Sequence, residues 1–398
     1  MKKLEENLIS QLVKIGLKCQ FEEKKKMQKS HQKHTKLIRL ENDIFAPNEI
    51  AILGSKCSII ADFVQKMSKK LQKRAKIAYF DASHNNEIEA PNIDIFTTHH
   101  SGNLNVNLAH NINEYNERIR FAMYDLLFIN GNHYKGGKQI LILDNEKEAS
   151  VLKRVDQLDR IQFVVKLNED SKYFDFLVEK YPTIKNLKCY DINDIDAISK
   201  HIDNLIQEKV APVQGLVLAG GKSSRMGKDK TELNYHGKSQ LDHTLKLLED
   251  NLLTTFVSVA TDQQLENFEI IQDKFVNLGS FGAICSAFQH NPNKAWLVLA
   301  TDLPFVDGNL IKLLLKHRNP QKVATAIKGK SKQFVEPLIA IYEPKAYPVL
   351  LSYLAQGYSC PRKVLINSDV EIVEVDDNLI RNINTPQEFN EAHKEINE

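Results

Sequence analysis

Short apolar runs recur along this chain, and the segments between them carry helical rather than alternating periodicity, a combination that leaves few folds open. Ile50-Ala51-Ile52-Leu53 is followed by Gly54 and then by Ile59, Ile60, Phe63, Val64, Met67 and Leu71, which share one helical face. Further runs at Lys76–Phe80, Asp125–Ile129, Gln139–Leu143 and Gln162–Val165 are separated by helical patterns such as Phe174–Lys180 and Ile195–Ile206. Strands of this kind, alternating with helices, belong to mostly parallel sheets covered on both faces. Beyond Pro212 the alternation restarts, with strands expected at Val213–Leu218, Thr255–Ala260, Ala295–Ala300 and Gln321–Ala326. A helix beginning after Ser239 puts Leu241, Leu245 and Leu248 on one face, with Ser239 as its N-cap.

With 398 residues the chain exceeds one ordinary core. We therefore expect an α/β protein of two doubly wound, mostly parallel-sheet domains over 41–207 and 208–398, preceded by a charged arm over 1–40. The arm is read from Glu22–Lys29 with Lys33, His34 and Lys36, where charge leaves few apolar residues in register. The boundary is read from Gln207–Pro212, where a helical pattern runs out in charge and ends at proline. A formal net charge of +2 gives no global attraction to nucleic acid or to a membrane surface. No apolar run approaches the roughly 18–20 residues of a membrane span, and the first residues lack a secretory signal, so a cytoplasmic location is expected. Cys19, Cys57, Cys189, Cys285 and Cys360 are scattered without CxxC spacing and are expected as reduced thiols. His84, His99, His100 and His133 have no paired helical spacing and are expected at the surface rather than on a metal.

Chemistry concentrates in Leu218-Ala219-Gly220-Gly221-Lys222-Ser223-Ser224-Arg225-Met226-Gly227-Lys228-Asp229-Lys230, which directly follows the first strand of the second half. Glycines let backbone amides approach a polyphosphate, and the cations beside them match its charge. It is not a P-loop, because that pattern requires a glycine where Leu216 stands. Ala295–Pro304 runs as an apolar strand into Asp302 and stops at Pro304. A carboxylate at a strand end suits Mg²⁺, which takes one or two carboxylates plus phosphate oxygens. The competing role for Asp302 is to cap a helix over Val306–His317.

The glycine-bearing stretch resembles the LAGGxSxRMGxDK signature of the molybdenum cofactor guanylyltransferases, the MobA-type enzymes. That resemblance implies a Rossmann-like nucleotidyltransferase fold with GTP and molybdopterin as substrates. It places Leu218, Ala219, Gly220 and Gly221 on the nucleotide, Arg225 and Lys230 on the phosphates, and Mg²⁺ on Asp302. Asp273, ahead of Gly279–Ile284, looks like the family's aspartate before GPLxGI and would contact the nucleotide. The chain departs from the pattern at Ala260, Ser280, Phe281 and Ala283. Asn382-Ile383-Asn384-Thr385-Pro386 matches the family's closing motif, which implies that Asn382 and Asn384 bind the acceptor. Thr385 and Pro386 also read as the N-cap and first residue of a final helix.

In the first half, Leu53–Ile60 occupies the place of a P-loop but lacks its Gly-Lys-Ser/Thr end. Asp125–Gly131 resembles a segment of the GTP-binding adapter protein that accompanies these guanylyltransferases, with Asn130 where glutamate is expected. A degenerate adapter-like domain that does not hydrolyse GTP is the expectation, and an unrelated packing domain the alternative. The family also implies molybdoenzymes or other cofactor-biosynthesis proteins as partners. Cytidylyl or sugar-phosphate nucleotidyl transfer stays open beside guanylyl transfer, as does a non-catalytic nucleotide sensor.

Overall fold

The computed structural model describes residues 43–82, 94–98, 104–107, 114–219, 230–251, 253–261 and 263–398. The arm expected over 1–40 and the histidines His84, His99 and His100 lie outside them.

The N-terminal lobe runs β1 (Glu49–Leu53), α1 (Cys57–Leu71), β2 (Ile77–Phe80), β3 (Ile95–Thr98), β4 (Leu104–Asn107), α2 (Glu114–Phe121), β5 (Leu126–Asn130) and β6 (Gln139–Leu143). It continues with α3 (Glu148–Leu152), β7 (Ile161–Lys166), α4 (Asp175–Lys180), β8 (Cys189–Asp191) and α5 (Ile195–Gln207). β3 and β4 form a separate antiparallel pair, and the other six strands make one parallel sheet in the order β2-β5-β1-β6-β7-β8. Every residue of β1, β5 and β6 is buried, which is why they read as continuous apolar runs rather than alternating ones. Along β1 the side chains divide between cores: Ile50 and Ile52 pack with Phe63, Val64 and Ile202, and Ala51 faces Phe121 and Leu127.

The C-terminal lobe runs β9 (Val213–Leu218), α6 (Gln240–Glu249), β10 (Thr255–Val259), β11 (Ile270–Gln272), α7 (Ser280–His290), β12 (Ala295–Ala300), α8 (Gly308–Lys316) and β13 (Ala324–Gly329). β14 (Glu336–Tyr342), α9 (Ala346–Ala355), α10 (Pro361–Ile366), β15 (Val370–Val375) and α11 (Pro386–Asn397) complete it. The seven strands lie in the order β11-β10-β9-β12-β14-β13-β15. β9 supplies Leu216 and Leu218 to one core and Val217 to the other, and β12 divides Trp296 and Val298 from Leu297 and Leu299 in the same way. Each such burial contributes roughly 1.5–3 kcal/mol.

β14 is antiparallel to both neighbours, which the strand–helix alternation did not announce. Its Pro337 interrupts the apolar pattern, and the structure accommodates it where the β13–β14 register slips between Ala326 and Ile327. β13 begins later than the expected Gln321, because Asn319 holds a turn there: its carbonyl accepts from Lys322 N at 3.1 Å and its side chain from Gln321 N at 3.1 Å.

The lobes meet through a buried ion pair, Lys345 Nζ to Asp125 Oδ1 at 2.6 Å. Lys345 also donates to the Gln321 carbonyl at 3.1 Å, and Asp125 Oδ2 accepts from Lys76 N at 2.7 Å. Among the described residues no helix is long and apolar enough to cross a membrane.

Candidate active site at the carboxyl edge of the second sheet

From β9 the chain steps outward through β10 to β11, then crosses back to place β12 on the other side of β9. Strand order reverses between β9 and β12, and α/β sheets bind ligands beyond the carboxyl ends of strands at such a point. The two strands run in parallel register from Val213 against Ala295 to Leu218 against Ala300, so they end level. Thr301 Oγ1 donates to the Leu218 carbonyl at 3.4 Å, and Ala219 N donates to the Ser258 carbonyl at 3.2 Å. Leu218, Ala219 and Asp302 are therefore neighbours on one edge. Gly220, Gly221 and Arg225 lie outside the described residues, and the backbone of Lys230 opens a short 3-10 turn over Lys230–Glu232.

Asp302 does not cap the following helix. That position belongs to Asp307, whose Oδ1 accepts from Leu310 N at 2.8 Å. Instead the Asp302 backbone anchors the closing motif, since Ile383 N donates to the Asp302 carbonyl at 2.9 Å. Asn382 and Asn384 flank Ile383 and so come to the same edge. Local chemistry fixes their approach: Thr385 and Glu388 form a capping box at the start of α11, and Glu388 Oε2 also accepts from Asn384 N at 2.7 Å. The Arg381 guanidinium lies 4.2 Å from the centre of the Phe305 ring, a second tie between this motif and the Asp302 loop.

Three further side chains belong to this neighbourhood. Burial pushes the Tyr235 phenol upward, and the charges of Asp302 and Glu388 add to that shift. Burial likewise raises Glu336; Arg362, at 3.1 Å from its Oε2, pulls it back, and Asp302 raises it again. The charge of Asp302 thus reaches Glu336. His236 Nε2 lies 2.9 Å from the Pro304 carbonyl and its ring stacks on His243 with centroids 3.7 Å apart. Sequence patterning did not single out Tyr235, His236 or a role for Glu336. Tyr235 and His236 share one segment and Glu336 comes from another, where the signal was a carboxylate beside a proline in an otherwise apolar run.

Asp273 lies farther along the same carboxyl edge. It follows β11 at the outer edge of the sheet, two strands from β9. Its Oδ1 accepts from Phe275 N and from Ser286 Oγ, both at 2.8 Å, so this oxygen is engaged in holding the loop onto α7. Gly282 makes the approach possible: a Cβ there would stand 2.3 Å from the Phe275 carbonyl and 3.0 Å from Asp273 Oδ2. Among the described residues no group of three His, Cys, Asp or Glu side chains forms a metal cage.

The C-terminal lobe is similar to known proteins. The family of MobA-like NTP transferase domains matches residues 215–371. A molybdenum cofactor biosynthesis bifunctional protein of Synechocystis sp. is 32% identical over 187 residues, covering 46% of this chain and 54% of that protein. The chain thus spans about half the length of this relative. A probable molybdenum cofactor guanylyltransferase of Natranaerobius thermophilus is 28% identical over 197 residues, covering 46% of this chain and 95% of that protein. The crystal structure of molybdopterin-guanine dinucleotide biosynthesis protein A from Archaeoglobus fulgidus aligns at 27% identity and TM-score 0.40, over 46% of this chain and 98% of its own. Residues 215–371 thus match the model of MobA-like NTP transferase domains, and the sequence likeness to these proteins lies in this lobe.

Proposed function

We propose that the C-terminal lobe transfers GMP from GTP to the phosphate of molybdopterin, releasing pyrophosphate. The observation that carries this reading is the level ending of β9 and β12 at the switch point, with Asp302 beside Leu218 and the Asn382–Asn384 motif tied to the Asp302 carbonyl. A nucleotide held beyond the end of β9 and an acceptor held at the closing motif would meet over one carboxylate.

The donors present fit Mg²⁺. Asp302 is a half-buried hard oxygen ligand, Glu336 adds a second negative charge nearby, and the absence of a three-residue cage among the described residues suits an ion that completes its shell with phosphate and water. Asp302 would hold it, and bound there the ion would neutralise charge on the triphosphate. Arg225 and Lys230 would add positive charge from the glycine-bearing loop. Asn382 and Asn384 would orient the acceptor, whose phosphate oxygen attacks the α-phosphorus in line. Such transfer depends on positioning and electrostatics more than on a general base.

Incubation with each of the four NTPs, Mg²⁺ and molybdopterin, following pyrophosphate, tests the proposal. Product with GTP is expected. Preference for CTP would replace it by cytidylyl transfer, and no product with any nucleotide would favour a sensor. Asp302→Ala is expected to lower turnover by about 10²-fold or more, the loss typical of removing one strong charge-stabilising group. Near-normal turnover would remove Asp302 from the metal role.

A further inference from the structure

The carboxyl edge of the first sheet also gathers reactive side chains. α1 starts at Cys57 immediately after the Gly54–Lys56 turn, where a P-loop would direct its lysine and hydroxyl at phosphate. Here those directions are spent on carboxylates: Ser55 Oγ donates to Asp144 Oδ2 at 2.8 Å and Lys56 Nζ pairs with Glu146 at 2.8 Å. What remains at this helix start is the half-buried sulfur of Cys57.

Cys57 Sγ lies 3.3 Å from His133 Nε2 and 3.8 Å from Asn132 Nδ2. The same His133 nitrogen is 3.7 Å from Asp81 Oδ1, and Asp81 is held by Tyr79 OH at 2.8 Å and Ala82 N at 2.7 Å. An independent sign lies beneath the sulfur. Asn130 is fully buried, its Oδ1 accepts from Asn132 N at 3.1 Å, and its Nδ2 has no hydrogen-bond partner. A buried amide donor left unmatched is destabilising, and a negative sulfur is the acceptor that would satisfy it. Burial pushes the Cys57 thiol up, but the polar side chains of Asn130, His133 and Asn132 around it outweigh that and the net shift is downward. The N-terminus of a 15-residue helix adds its positive end.

We propose that Cys57 is a thiol–disulfide exchange site for small peptide disulfides, with His133 as its proton acceptor. The Cys57 proton passes to His133, whose imidazolium is held by Asp81. The thiolate attacks one sulfur of the disulfide, the S–S bond breaks, and the departing thiolate takes up a proton. Cys57 is oxidised to a mixed disulfide as the departing sulfur is reduced to a thiol. A half-buried sulfur admits a small disulfide more readily than a protein thiol, and peptide carboxylates suit the positive helix end. Besides His133, the titratable groups around the sulfur are Tyr79 and Asp81 on the β2 side, Asp144 after β6, and Lys56 with its partner Glu146.

The test exposes the full-length reduced chain to oxidised glutathione and follows each cysteine by peptide mass mapping across pH. At pH 7 Cys57 is expected to form its mixed disulfide several-fold faster than the exposed Cys360, since a thiol shifted downward holds more thiolate, a gain that its lower nucleophilicity only partly offsets. His133→Gln should move the pH midpoint of Cys57 upward and slow it, leaving Cys360 unchanged. Equal rates at the two cysteines, or a Cys57 midpoint indifferent to His133→Gln, would overturn the proposal. If that variant does not fold, the wild-type profiles decide it, because coincident midpoints for Cys57 and Cys360 refute a perturbed thiol.

Discussion

At the scale of single residues, neighbours of the Asp302 loop are kept in the protonation state their contacts need. His236 can donate to the Pro304 carbonyl as a neutral ring, and its stacked partner His243 is held down to about 4 by burial, by His236 and by Lys238. An unfolded histidine takes up its proton near pH 6.5, so between about pH 6.5 and 4 the unfolded chain binds the extra proton and the folded one does not. Stability should therefore fall as pH drops through that window, by about 1–3 kcal/mol from His243. Urea unfolding at pH 7 and pH 4.5 measures it. His243→Phe, which keeps the stack and removes the titration, should flatten the difference; an unchanged slope would assign the acid sensitivity to other groups.

At the scale of elements, the two helices whose starts were legible are capped by the residues expected. Ser239 accepts from Asp242 N at 3.0 Å, and Thr385 opens α11 through its capping box. The second cap does more than end a helix, because Asn384 N shares the Glu388 carboxylate and Ile383 is tied to Asp302. Thr385→Ala should cost about 1 kcal/mol of stability, a typical N-cap loss. If the closing motif holds the acceptor, it should also raise the KM for molybdopterin several-fold with little change in that for nucleotide. Steady-state kinetics with each substrate varied in turn checks this, and an equal rise in both would place the motif's role on the nucleotide.

At the scale of the whole molecule, the Lys345–Asp125 pair joins the lobes with side chains only 8% and 13% exposed. A buried charge that loses its partner is far costlier than a surface one, so Lys345→Met should destabilise the chain by about 3–5 kcal/mol. Replacing both residues, Lys345→Met with Asp125→Leu, should recover most of that loss. Thermal melts of the single and double variants decide it; an additive double would show that the residues do not act as a pair.

The strand–helix alternation and the local signals along it were readable from residues alone. Apolar runs such as Gln139–Leu143 became strands with the same ends, and Ser239 and Thr385 became caps, because these preferences act between residues a few positions apart. The Leu218–Lys230 motif pointed to the family whose model matches residues 215–371, since its glycines and cations are adjacent in the chain. Only the tertiary structure decided that β14 enters the sheet antiparallel, that Glu336 feels Asp302, that Ile383 binds the Asp302 carbonyl, and that Asp273 anchors a loop at the sheet edge. It also brought together Cys57 and His133, 76 positions apart, one read as a plain thiol and the other as a surface histidine. Such contacts depend on which strands lie side by side, and that is settled by burial of whole sheet faces rather than by anything a short stretch of sequence carries.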